Sequence, residues 1–402
     1  MIPRAPLLFQ DGLVYGADGQ PPSRKDLLVA GETVTVGDNL QADEGTRVVP
    51  LDGLCFSPGW VDLHTHVFEG QGVFSVPPHQ IGLATGVTTL VDAGSAGALN
   101  YRIFHERTIR NAAETILAYV NVSNVGIAHG HAGREGFIGE HCHAALHDPE
   151  PALAVLERFS SSIVGWKARL SSALAGGDRG LEQQAFRHLR ALSERTGLPM
   201  MIHHAKSKIP PEEILAALSA GDVYTHLYHG YEDAIFDAAT GRPLPEALEA
   251  RQRGVVFDVG HGSGAFSWAC AERACLQHGF WPDTISSDIH RYNAFWPVVD
   301  MATTMSKFLV LGVPVEKIIS MVTGQVSRAL RRPLAPADLT IFTVEAGDFP
   351  LADARGELRH ARMRFVPLAV LKNGELTPCS GYPGSRHTTG NFAREIQNAA
   401  AF

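Results

Sequence analysis

The segment VDLHTH at 61–66 holds two histidines two residues apart. In an extended strand, residues at that spacing project to one side, so His64 and His66 can meet a single divalent ion through neutral ring nitrogens. Taken alone, such a pair is more often a chance arrangement on a solvated strand. Four further residues change that balance, each at the end of an apolar run: Lys167 closes SSIVGWK, His203 closes MMIH, His226 lies in VYTH and Asp288 in ISSD. A protonated lysine has no lone pair to offer a metal. Its carbamate, formed with carbon dioxide, would carry two anionic oxygens able to bridge a pair of metals. An ordinary surface lysine is the plain alternative; the buried run before Lys167 and the histidines around it favour the carbamate.

These residues need a frame that brings many strand ends to one place. Eight segments share one form, an apolar or β-branched run, then a polar or glycine-rich end, then a helical stretch. They are SPGWVDLHTH, GVTTLVDAGSAG, TILAYVNVSNVG, SSIVGWKARLS, LPMMIHHAKS, DVYTHLYHG, GVVFDVGHGSG and DTISSDIHR, with helix-like segments such as 182–195 and 211–219 between them. Strands alternating with helices imply parallel pairing through right-handed crossovers. Eight of them predict an α/β fold, a closed (β/α)8 TIM-type barrel over 54–333. An open doubly wound sheet is the runner-up, but no GxGxxG turn follows the first strand. Residues 1–53 and 334–385 carry short strand-like runs, such as DLLVAGETVTVG and FVPLAVLKNG, and predict one small β-sandwich-like satellite domain built from both chain ends. Residues 386–402 have no strong pattern and read as a C-terminal tail.

The composition agrees with a large globular core: 45% of the 402 residues are hydrophobic and 19% charged. A formal net charge of −8 leaves no basic footprint for nucleic acid. No run of about 18 apolar residues is present to span a bilayer. The five cysteines include no CxxC pair, which argues against a disulfide framework or a thiolate zinc site. The start of the chain lacks the basic and apolar character of a secretory signal. The expected setting is cytoplasmic, with neither nucleic acid nor membrane as partner.

The ordered set HxH, Lys, His, His, Asp resembles the binuclear, carboxylated-lysine branch of the amidohydrolase superfamily. More narrowly, GWVDLHTHVF, GVTTLVDAGSAG, KARLS, FDVGHGSGAFSW and ISSDIH resemble an amidohydrolase/deacetylase metallohydrolase subgroup related to dihydroorotases. The resemblance covers nearly the whole chain. It implies that His64, His66 and Asp288 hold one metal and His203 and His226 a second, with carboxylated Lys167 and a hydroxide bridging both. Zinc is the default for such a donor set. His203 and His204 are adjacent and face opposite sides, and the superfamily pattern selects His203. The resemblance also implies hydrolysis by the metal-bridging hydroxide, with Asp288 shuttling the proton to the leaving group. No serine nucleophile is needed, and GSG at 262–264 is not a GxSxG elbow.

The expected function is hydrolysis of an amide or ester bond, of deacetylase or acylase type. Its expected partner is a small molecule bearing a carboxylate, an N-acyl amino acid or an O-acetyl hydroxy acid. Arg169 shares a strand face with Lys167 and suits a bidentate grip on that carboxylate, weighed evenly against a surface arginine or one paired with a helix-end acid. Tyr228 shares parity with His226, and His290 with Asp288, which makes both candidate substrate contacts. A cyclic-amide hydrolase of the dihydroorotase or hydantoinase type is the alternative. An inactive barrel scaffold ranks last, because all six ligands are kept. The histidine-rich HGHAGREGFIGEHCHAALHD at 129–148 reads as a lid or oligomer-contact loop before a second metal site, which leaves a homo-oligomer open.

Overall fold

The computed structural model describes residues 6–31, 33–50, 54–70, 74–127 and 139–380. Seven strands pair in chain order, each parallel to the next: Trp60–Thr65, Val87–Gly97, Thr115–Asn121, Ile163–Leu170, Met200–His204, Val223–Thr225 and Val256–Phe257. The eighth expected run completes the ring through two parallel bridges, Asp258 to Thr284 and Thr65 to Ile289. This run is polar, and its side chains make bonds that a ladder would otherwise make. Ser286 Oγ donates to Asp258, and Ser287 Oγ donates to Asp62. The curled sheet and its intervening helices form a TIM-type barrel.

The helix Arg179–Thr196 illustrates how local signals place the elements. Asp178 accepts hydrogen bonds from the amides of Gly180 and Leu181, and Gly197 ends the helix in the left-handed region at φ 70°. Ala185, Phe186, Leu189 and Leu192 recur at helical spacing and are buried. Phe186, Leu189 and Leu192 share a core with Trp166, Ala168 and Leu170 of the fourth barrel strand. Alternate residues of that strand, Lys167 and Arg169, therefore project to the other side, into the barrel. Leu63, Val91, Leu117, Tyr119, Val164, Met201 and Val223 form a separate apolar cluster drawn from successive strands, the packed interior expected of such a barrel.

Strands from both chain ends share one eight-stranded sheet. Leu7–Val14 runs antiparallel to Ser23–Ala30 and parallel to Cys55–Pro58, which pairs antiparallel with Leu339–Ala352. Asn373 and Gly374 adopt φ 49° and 74° and turn Leu358–Lys372 back into Glu375–Pro378. Such two-residue turns match the twist of the strands they join. Phe9, Leu27, Phe56, Ile341 and Leu371 fill the core of this satellite domain. Cys55–Pro58 lies on the barrel side of the expected boundary at 53/54, yet pairs within the terminal sheet. Only Gly59 separates it from Trp60–Thr65, so the two strands read as one apolar run. The expected tail, 386–402, lies outside the described residues. Among the described residues, no helix is long and apolar enough to cross a membrane.

Candidate metal centre

His64, His66, His203, His226 and Asp288 line one cavity of about 220 Å³, at the strand ends where barrel active sites form. Asp288 Oδ1 lies 3.3 Å from His64 Nε2 and 3.1 Å from His66 Nε2. The His226 ring centroid is 5.0 Å from that of His64 and 4.3 Å from that of His203. One donor atom each from His64, His226 and Asp288 falls within 4.8 Å of the others, a group able to hold a metal ion. Lys167 sits among them fully buried, its Nζ without a hydrogen-bond partner.

Hydrogen bonds behind the rings fix which nitrogen faces the cavity. Thr225 Oγ1 donates to Asp258 Oδ2 at 2.7 Å, so it accepts from His64 Nδ1 at 3.0 Å. His226 Nδ1 donates to the carbonyl of Gly260 at 2.6 Å, and its Nε2 is buried without a partner. His66 Nδ1 meets Ser95 Oγ at 2.8 Å, and Ser95 in turn bonds Asp92. With Nδ1 protonated, each Nε2 keeps its lone pair for the cavity. Metal-binding histidines are commonly held in this way.

Electrostatics agree with that assignment. Burial holds His64 and His203 well below the ordinary histidine range and lowers His226 to about 4. All three imidazoles are therefore neutral, the form that ligates metals. Burial pushes the Asp288 carboxyl up, and charge on His64, His66 or His226 pulls it well below the ordinary carboxylate range; where those rings are neutral, a bound cation would supply that charge instead. Burial lowers Lys167 to about 7, which makes the neutral amine, the form that reacts with carbon dioxide, accessible near neutral pH.

His226 and Asp288 both adopt left-handed backbone, with φ 64° and 47°. Non-glycine residues rarely do so, and such strain concentrates at functional sites. The kink at His226 also explains a correction. Strand alternation stops there, so Tyr228 does not follow His226 into the cavity. Its ring is buried against Phe236, and its hydroxyl donates to the carbonyl of Phe280 at 3.0 Å. His290 does line the cavity. His203 faces the cavity, whereas His204 points away and bonds Tyr224 and the carbonyl of Ile209.

Arg169 also lines the cavity, its guanidinium 5.4 Å from the Phe74 ring centroid. Its Nε and Nη2 donate to Glu140 Oε1, with Nε at 2.8 Å, so Arg169 is paired with an acid at the edge of the cavity. Glu140 belongs to the histidine-rich segment and gave no signal in the sequence. Of that segment, 129–138 lies outside the described residues. His141 and His147 are buried and paired, with Nδ1 to Nε2 at 2.9 Å, and His141 Nε2 bonds the Arg169 carbonyl.

Gly94 leaves room for Lys167. A Cβ there would lie 2.8 Å from Lys167 Cβ and Cγ, on backbone at φ 84°. Gly94→Ala is expected to displace the lysine and cost about 1–3 kcal/mol, the range for overpacking. Thermal unfolding and metal analysis of the variant check this; an unchanged Tm and metal content would count against it.

Histidine and aspartate donors at the mouth of a parallel barrel define a barrel protein with a group able to hold a metal ion. No protein-family model matches the chain. It is 31% identical over 390 residues to a deacetylase of Agrobacterium fabrum, covering 94% of this chain and 93% of that protein. A deacetylase of Enterococcus faecalis is 32% identical over 92% of this chain and 98% of its own length. Among solved structures, a dihydroorotase superposes with a TM-score of 0.83 at 30% identity, over 94% of this chain and 99% of that one. The chain belongs to the amidohydrolase superfamily, in the branch related to dihydroorotases.

Proposed function

We propose that this protein is a binuclear metal hydrolase of deacetylase type, acting on an acyclic amide or ester whose substrate bears a carboxylate. N-acyl amino acids and O-acetyl hydroxy acids are the substrate class. The observation that carries this reading is the set of buried, neutral imidazoles around Asp288 and the unpartnered Lys167 amine. A buried polar group without a partner is costly; metal ions that take up the ring lone pairs, and carbon dioxide that adds to the amine with loss of a proton to leave a carbamate, would account for them. The two deacetylase relatives support the reaction class.

His64, His66 and Asp288 would hold one metal, His203 and His226 the other, and carboxylated Lys167 would be shared. Bound divalent ions, zinc by default for these donors, supply an acidified water and polarise the scissile carbonyl. The chain's own residues do the rest. Asp288, anionic and beside the reacting groups, accepts the proton of the attacking water and returns it to the leaving nitrogen or oxygen. Thr225 with Asp258, and Ser95 with Asp92, keep the rings of His64 and His66 in one tautomer and orientation. His290 borders the cavity as a contact for the carbonyl or leaving group.

Arg169 would meet the substrate carboxylate with donors that Glu140 leaves free. Removing one member of a buried charge pair typically costs about 2–5 kcal/mol. Arg169→Met should therefore lower kcat/KM on carboxylate-bearing substrates by roughly 30-fold or more, at about 1.4 kcal/mol per tenfold. The variant also strands Glu140, so Arg169→Met with Glu140→Gln is the cleaner measurement. An acid and its uncharged amide falling equally would place Arg169 in structural support instead.

The experiment for the whole reading is to profile the metal-loaded enzyme against N-acyl amino acids, O-acetyl hydroxy acids, dihydroorotate and hydantoins. Release of the acyl group from the acyclic acids is expected. Ring opening of dihydroorotate or a hydantoin without acyl release would replace this reading by cyclic-amide hydrolysis.

A further inference from the structure

Among the described residues lining the cavity, two besides the histidines carry cationic side chains, Arg169 and Lys206. Arg169 is already balanced. Glu140 accepts from it and is nearly sealed from solvent, with its side chain 2% exposed. Lys206 stands differently. It lies two residues past the strand Met200–His204 and adopts φ 57°, a left-handed conformation that a residue with a side chain rarely takes up. Neighbouring bonds hold that backbone in place. Its carbonyl accepts from Ser172 N at 2.9 Å, and Ser207 N donates to Asp233 at 2.8 Å.

The acids near Lys206 are engaged elsewhere. Asp233 takes the Ser207 amide, and Glu182 takes the Ser207 hydroxyl at 2.6 Å and the Lys208 amide at 3.1 Å. Among the described residues, no carboxylate lies within ion-pair distance of Lys206. Its Nζ rests instead 4.5 Å from the ring centroid of Tyr231, which lines the same cavity. A ring face can steady an ammonium without neutralising it. The cavity thus presents one net cation outside the metal centre, held at its mouth by strained backbone and an aromatic face.

We propose that Lys206, seated on Tyr231, supplies the charge that selects anionic substrates, and that Arg169, neutralised by Glu140, supplies oriented donors. This rests on the proposed hydrolysis of carboxylate-bearing acyl compounds. The two cations then play separate parts. Replacing Lys206 removes the net charge that draws anions into the cavity, and replacing Arg169 removes the donors that seat the carboxylate, so each lowers the acid more than the amide.

The test compares N-acetyl amino acids with their C-terminal amides, on wild type, Lys206→Gln, Lys206→Arg and Lys206→Glu, all metal-loaded. The ratio of kcat/KM for acid over amide is expected to fall about tenfold or more in Lys206→Gln, mainly through KM. Lys206→Arg should keep most of the preference, and Lys206→Glu should reverse it. Raising salt should lower the wild-type ratio and leave that of Lys206→Gln flat, since an exposed charge is screened. A wild-type preference for acids that survives intact in Lys206→Gln and Lys206→Glu overturns the role of Lys206 and leaves the proposed function standing. A wild type with no preference for acids overturns both.

Discussion

Asp288→Asn is expected to lower kcat by roughly 10²–10⁴-fold, the range for loss of a positioned acid or base. The Asp288 carboxylate lies close to both His64 and His66, and a bound cation would hold it ionised there. It is therefore an anion that can take a proton only from a group brought against it. An amide of the same shape cannot cycle that proton. The backbone at Asp288 is pinned independently, with Asn293 Nδ2 donating to its carbonyl at 2.8 Å, so the fold should survive. Steady-state kinetics beside circular dichroism and metal analysis read the outcome. Near wild-type turnover with unchanged metal content would remove Asp288 from proton transfer.

Lys167→Ala is expected to abolish most activity and to lose at least one metal. Lys167 is fully buried among groups whose lone pairs point the same way, and its amine has no partner. Reaction with carbon dioxide forms an N–C bond, releases one proton and leaves a carbamate anion. Because burial lowers the amine to about 7, its reactive neutral fraction falls tenfold per unit as pH drops below that value. Reconstitution with metal and bicarbonate should accordingly slow below neutral pH. Short carboxylic acids should partly rescue Lys167→Ala, since a free carboxylate can occupy the space of the carbamate. An unmodified lysine in the metal-loaded enzyme, or a variant that keeps its metals and activity, would contradict this.

The barrel and the residues around its mouth are legible in the chain for a physical reason. Each strand is an apolar run that must be buried, and a histidine, lysine or aspartate at its end must be turned towards something that holds it. Strand alternation carries the argument correctly through Lys167 and Arg169, which lie on a regular strand. It fails at Tyr228, because the left-handed residue His226 ends the alternation, and a positive φ on a histidine leaves no mark in composition. Glu140, Asp258 and Lys206 were not legible for related reasons. Glu140 reaches Arg169 from 29 residues away. Asp258 acts through Thr225, behind the ring it orients. Lys206 follows the strand rather than ending it. Asp258 did leave one readable signal, a carboxylate at the end of the seventh apolar run.

The proposed binuclear centre makes hydrolysis depend on two bound metals. The measurement that tests it most directly is metal stoichiometry per chain by elemental analysis, followed through chelation and reloading with acyl release assayed at each stage. Two divalent ions per active chain are expected, with loss of activity as they are removed and recovery when zinc and bicarbonate are restored. Full activity in protein stripped of metal would contradict it.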